Sequence, residues 1–140
     1  MAVVDANGLP IGLRVCTAGQ HEVKQSEDTI LECWTVELPE RTIADRAFDS
    51  DADGFAIALD TSLAEFGVEV IAPHRKNRRP ENKTQDGRKL RRYKRRWKVE
   101  RFFSWLGNFR PLLICHERKV QNYEGFARLS TLIILVRKCF

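Results

Sequence analysis

Asp45 and Glu100 are the residues of this chain whose type and setting best suit chemistry. Asp45 ends the run Arg41-Thr-Ile-Ala-Asp45, which reads as a short buried strand. The carboxyl edge of an α/β sheet is where ligands usually bind. The plainer alternative for Asp45 is an acid that caps a turn or helix. Glu100 stands in the block Tyr93-Lys-Arg-Arg-Trp97-Lys-Val-Glu100-Arg-Phe-Phe-Ser-Trp105. At helical spacing Tyr93, Trp97, Glu100 and Phe103 or Ser104 share one face, with lysines and arginines fanned around them. A carboxylate among aromatics costs free energy unless a cation or hydrogen-bond donor satisfies it. Glu100 is therefore either ion-paired, with Arg96 at i−4 for example, or a metal ligand. Taken together, one acid from a strand end and one from a helix can hold divalent metal ions. Two such ions roughly 4 Å apart activate water and stabilise the leaving oxygen in phosphodiester cleavage. Such sites usually draw on a third acid.

Other candidates are weaker. Asp49, Asp51, Asp53 and Gly54 open like a calcium-binding EF-hand loop, with Asp60 at the twelfth position where a glutamate is usual. A strand rather than a helix precedes them, so these acids read better as helix caps. His21, His74 and His116 form no spaced pair, and His116 reads as a core residue in an apolar strand. The cysteines, Cys16, Cys33, Cys115 and Cys139, lie far apart and read as small apolar side chains in a reducing compartment.

The charge is segregated. Residues 1–74 carry four Lys/Arg against fourteen Asp/Glu, a net of −10, whereas residues 75–119 carry seventeen against four, a net of +13. A basic band interleaved with aromatics points to a polyanion, nucleic acid above all, rather than to a merely solubilising helix. The sequence begins without a recognisable signal peptide, and the apolar run at 129–136 is too short to span a bilayer. A cytoplasmic protein is expected.

The elements that would position these residues follow from periodicity and turn chemistry. Strands at 2–5 and 11–17 flank Asn7-Gly8, a hairpin signal. A helix follows from Glu22 to about Cys33, and a strand at 41–45. Next come a helix at 50–66 with Phe55, Ile57, Ala58, Leu59, Leu63 and Phe66 largely inward, Gly67 as its stop, and a strand at 68–72. The result is a mixed α/β sheet. Residues 74–86 are nearly devoid of apolar side chains and read as a basic loop, within a loop region taken as 74–88. Residues 89–140 hold the C-terminal helices, one long helix at 89–106 and a last one at about 122–136.

These residues resemble a known family. Ile43-Ala-Asp45-Arg-Ala-Phe48-Asp49-Ser50-Asp51 is similar to the motif around the second acid of insertion-sequence DDE transposases. The Tyr93–Trp105 block is similar to their helix with the final glutamate. Val4-Asp-Ala-Asn-Gly-Leu-Pro10, Ala72-Pro-His-Arg-Lys-Asn77 and Arg110-Pro-Leu-Leu-Ile-Cys-His-Glu-Arg118 with Asn122-Tyr123 fit the same order, so the resemblance covers nearly the whole chain. In the second-acid motif, Ala47-Phe48 stands where Gly-Tyr is usual.

The resemblance implies a ribonuclease-H-like mixed sheet flanked by helices, read as a single catalytic-core fragment over 1–140. It also implies Mg²⁺ (or Mn²⁺), cleavage at transposon ends and strand transfer. Asp45 and Glu100 would be the second and third acids. The family's first acid sits on a strand preceding the hairpin, so this chain is expected to lack that opening strand, with Asp5 the sole early acid and better suited to the turn. The expected partner is double-stranded DNA, both terminal repeats and target, with a homo-oligomer assembled on it and no membrane. Arg75, Lys76, Arg78, Arg79, Arg91, Arg92, Arg95 and Arg96 would grip its phosphates, while Trp97 and Trp105 are assigned to the core. The alternative is a catalytically dead remnant that binds DNA without cutting it. A weaker one is a structural basic domain with a protein or RNA partner.

Overall fold

The computed structural model describes residues 1–16, 19, 22–49, 54–76, 81 and 87–139. Two compact units divide the chain: residues 1–20, 28–35 and 97–140 form the first, and residues 21–27 and 36–96 the second. The helix α1 (Glu22–Leu31) contributes its opening turns to the second unit and its last turn to the first. The expected alternation of strands and helices is present, and the fold is mixed α/β.

In the first unit, β1 (Ala2–Val4) pairs antiparallel with β2 (Pro10–Leu13), with Ala2 opposite Leu13 and a register shift after Val3. The Asn7-Gly8 turn closes the hairpin through the Asp5 carboxylate and the positive φ of Gly8. Asp5 Oδ1 accepts the backbone N–H groups of Asn7 and Leu9, each at 2.8 Å, and Gly8 takes φ +86°. A side chain rarely adopts that φ. A Cβ at Gly8 would also lie 2.6 Å from the Arg101 guanidinium. Arg101 belongs to α4 (Trp97–Leu106) and donates to Asn7 O at 2.7 Å, while Lys98 Nζ donates to Ala6 O. Helix α4 is thereby fastened to the hairpin tip. The same helix carries Phe102 and Leu106 into a core with Leu13, Ala127 and Ile134, edged by Ala2, Val4, Val15, Trp105, Phe109 and Leu112. Ala127 and Ile134 come from α6 (Val120–Cys139), whose Tyr123 hydroxyl donates to Leu112 O at 3.2 Å.

In the second unit, β3 (Arg41–Ile43) and β4 (Glu69–Ile71) pair in parallel, Arg41 opposite Glu69 and Ile43 opposite Ile71. Parallel strands need a crossover, and α2 (Gly54–Glu65) supplies it. Leu59, Leu63, Val68 and Ile71 are buried. Gly67, at φ +74°, ends α2 as expected, with Val68 N–H donating to Leu63 O and Gly67 N–H to Ala64 O. Glu69 receives Arg41 Nε at 3.1 Å and Lys89 Nζ. The Lys89 hydrogen bond is the largest cause holding the Glu69 carboxyl below its ordinary value.

Several expectations need correction. The single helix at 89–106 is instead α3 (Gly87–Leu90), a 3-10 segment (Arg91–Arg95) and α4. Arg91, Arg92, Lys94, Arg95 and Arg96 crowd one stretch with no buried residue among 91–95, so like charges at i+3 and i+4 repel with no packing to offset them. Ile57 and Phe66 are each 53% exposed rather than inward, and Ala58 is exposed too; the Phe55 side chain lies outside the described residues. No strand forms around His116, expected from sequence to lie in an apolar one. Pro111 opens α5 (Arg110–Leu113), where its fixed φ suits a first turn, and His116 is exposed beyond it. Trp97 is 49% exposed. Cys115 and Cys139 are exposed, and Cys16 and Cys33 half-buried. No described helix is long and apolar enough to cross a membrane.

Candidate active site

Asp45 sits just past the end of β3, in the second unit. Ala44 N–H still donates to Ile71 O at 3.0 Å, so pairing with β4 carries to the residue before the acid. Asp45 itself is extended, φ −83° and ψ −175°, and caps a one-turn 3-10 helix (Arg46–Phe48). Its Oδ1 accepts Ala47 N–H at 2.8 Å. Among the described residues none donates a hydrogen bond to Oδ2. The capping role and the strand-end position are both realised, because the cap occupies only one oxygen. A half-buried carboxylate with one oxygen held and the other available is a donor suited to a hard divalent cation.

The 3-10 turn is held from its far end by a residue assigned from sequence to helix capping. Asp49 is 1% exposed; its Oδ1 accepts from His74 Nδ1 at 3.0 Å and its Oδ2 accepts Arg75 N–H at 2.9 Å. A longer contact of 3.4 Å runs from Arg75 Nε to Arg46 O. Asp49 thus joins the segment after β3 to the segment after β4, at the same end of the parallel pair. The signal for this in the sequence is slight: each strand is followed within a few residues by a polar group, Asp49 after one and His74-Arg75 after the other. Asp51, Asp53 and Ser50 lie outside the described residues, as does His21.

Glu100 belongs to the first unit, in the opening turn of α4, where a carboxylate is favoured by the helix dipole. Glu100, Phe103 and Trp97 are exposed on α4, whereas Tyr93 lies half-buried on the 3-10 segment, so the single helical face foreseen from spacing is split between two elements. Asp5 is engaged by its own turn, with Asn7 Nδ2 also 3.4 Å from Oδ2. Among the described residues no three His, Cys, Asp or Glu side chains gather closely enough to hold a metal ion.

Residues 1–136 match the family model described as "Transposase DDE domain". The chain belongs to that family. A protein of Burkholderia cepacia, named as a putative transposase for insertion sequence element IS402, is 30% identical to this DDE domain over 140 residues covering 94% of the chain. The chain spans 59% of that relative's length. No solved structure matches it.

The cations of this DDE domain are differently placed. Arg75 and Lys76 are exposed in the segment after β4, and Arg91, Arg92 and Arg95 are exposed on the 3-10 segment. Arg96 is half-buried, its guanidinium 5.6 Å from the Tyr93 ring centroid. Arg78 and Arg79 lie outside the described residues. In the first unit Arg101 lies over both Trp97 and Trp105, at 4.8 and 4.9 Å, and Lys138 lies 4.6 Å from the Trp105 centroid. These contacts explain why the indoles need no deep burial: each has a cation on its face. An open cleft of about 410 Å³ is lined by Trp105, Asn108, Phe109, Ile134, Arg137 and Lys138.

Proposed function

We propose that the chain is the catalytic portion of an insertion-sequence transposase, acting on double-stranded DNA at transposon ends and target, as a homo-oligomer in the cytoplasm. The observation that carries this reading is Asp45, at the carboxyl end of a parallel strand with one oxygen held by Ala47 N–H. The crossover β3–α2–β4 in one unit and the antiparallel hairpin in the other are element types compatible with a ribonuclease-H-like core. Asp45 and Glu100 would hold Mg²⁺ or Mn²⁺, with further ligands needed beyond these two. Bound there, a divalent ion would lower the pKa of water and neutralise charge on the scissile phosphate.

The rest of the work belongs to the chain. The Ala47 amide fixes one Asp45 oxygen so that the other keeps a constant direction. Exposed Arg75, Lys76, Arg91, Arg92 and Arg95, together with Arg96, Arg78 and Arg79, contribute phosphate contacts that hold the strand without reading its sequence. Cleavage would free a 3′-hydroxyl for strand transfer.

The test is Mg²⁺-dependent nicking of DNA carrying the element's terminal repeats. Nicking is expected for the unaltered chain and is expected to vanish in Asp45→Asn and in Glu100→Gln. Nicking that survives both substitutions overturns the assignment of those acids. A second reading, binding without cleavage, is favoured by the exposure of the 91–95 cations, whose phosphate contacts need neither acid. Salt-sensitive DNA binding with no metal-dependent nicking is its signature.

A further inference from the structure

We propose that the buried Asp49–His74 pair is a positioning device for Asp45, a clasp that sets the direction of the metal-holding carboxylate; this rests on the reading of Asp45 as a metal ligand. Asp45 hangs between two supports. One is the β3–β4 ladder, which reaches Ala44. The other is the 3-10 turn 46–48, to which Asp45 Oδ1 is bonded through Ala47 N–H. A single isolated turn has too few hydrogen bonds to hold its own shape. Its far end must be fixed by something else, and Asp49 is what fixes it.

The chemistry of the clasp is specific. Carboxylates only accept, so the Asp49–His74 contact requires the proton to sit on His74 Nδ1. The two Asp49 oxygens take two separate donors of one segment, an imidazole N–H and the Arg75 backbone N–H. Two bonds from one planar group fix rotation as well as distance. An apolar pair of similar volume would close the same space without the cost of burying a carboxylate, but it would leave the turn free to rotate. Since Asp49 is 1% exposed and the His74 side chain 9%, neither group is arranged to meet DNA or substrate itself. They act through the turn that carries Asp45, by the same logic that lets outer partners orient metal ligands.

The experiment is Mn²⁺ binding to the whole chain, followed by the decrease of the free-ion signal in electron paramagnetic resonance. Thermal melts and metal-free DNA binding are measured alongside. His74→Asn keeps an N–H donor near the Nδ1 position, while His74→Gln moves the donor to the Nε2 position and leaves Asp49 without it. Mn²⁺ affinity is expected to fall about 10- to 100-fold in His74→Gln, the range for removal of an outer partner, and to stay within about threefold of the parent in His74→Asn. Metal-free DNA binding is expected to be unchanged in both. Equal affinity in both variants, or an equal fall in both, overturns the clasp. If His74→Gln does not melt cooperatively, Asp49→Leu decides the matter: it keeps the volume and removes both acceptors, and parental Mn²⁺ affinity there overturns the proposal. Asp45→Asn is the control for the underlying reading. Undiminished Mn²⁺ binding in that variant removes Asp45 as a ligand, whatever the clasp variants do.

Discussion

Asp45 and Asp49 are the same residue type one 3-10 turn apart, and the chain gives them opposite surroundings. Among the described residues none donates to the second Asp45 oxygen beside its strand end; Asp49 is sealed against His74 and Arg75. Asp45 is legible in the sequence because it ends a run containing Thr42 and Ile43, a position set by local pattern. Asp49 is not, since its burial depends on His74, 25 residues away in sequence. Glu69 carries a pH prediction at this same scale. Bonded to Lys89 and Arg41, its folded pKa lies below the ordinary value of 4.5. The stability it adds is present above the unfolded value and is lost as pH falls through the folded one. Its side chain is 36% exposed, so solvent screens the pair and the effect is small. In Glu69→Gln the urea midpoint should therefore fall less on acidification than in the parent, and identical pH profiles would rule this out.

Elements differ in how plainly the sequence declares them, for physical reasons. The hairpin, α1, α2 with its Gly67 stop, and both parallel strands carry strong local signals that tertiary packing reinforces. The Arg91–Arg95 segment carries a helical pattern, yet with four cations in five positions and nothing buried the pattern has no core to serve. The 110–116 run is apolar, which suits strand and buried helix alike; Pro111 decides it. Helix α4 succeeds because Phe102, 0% exposed, anchors it in the core of the first unit. Phe102→Ala should lower the unfolding free energy by about 3–5 kcal/mol in urea denaturation, as buried Phe→Ala changes do. A decrease under about 1 kcal/mol would mean that the core closes around the gap or that Phe102 is less confined than its burial indicates.

At the scale of the whole chain, charge segregation is legible from composition alone and the division into two units is not. Charge is a property of sequence intervals. The units interleave in sequence, with residues 28–35 joining 1–20 and 97–140, so no interval of composition could reveal them. The basic band predicts a salt law. Removing one cation that meets a phosphate should flatten the slope of log Kobs against log salt by about 0.9 on duplex DNA. Replacing Arg91, Arg92 and Arg95 with Gln together should reduce the slope by roughly 3 if all three meet phosphates. A slope unchanged in the triple variant would remove the 3-10 segment from the DNA surface.

The hairpin tip has a consequence for how this sequence can drift. Gly8 is held by two independent conditions, a positive φ and the Arg101 guanidinium in the space a side chain would fill. Shortening Arg101 would clear the space and leave the backbone conformation as it is. Asn, which tolerates that conformation better than other side chains, could then enter freely; in the reverse order the flexible end of Arg101 would have to swing aside and give up its bond to Asn7 O. Mutational cost at this corner therefore depends on order: where α4 yields first, the turn can change without breaking that bond.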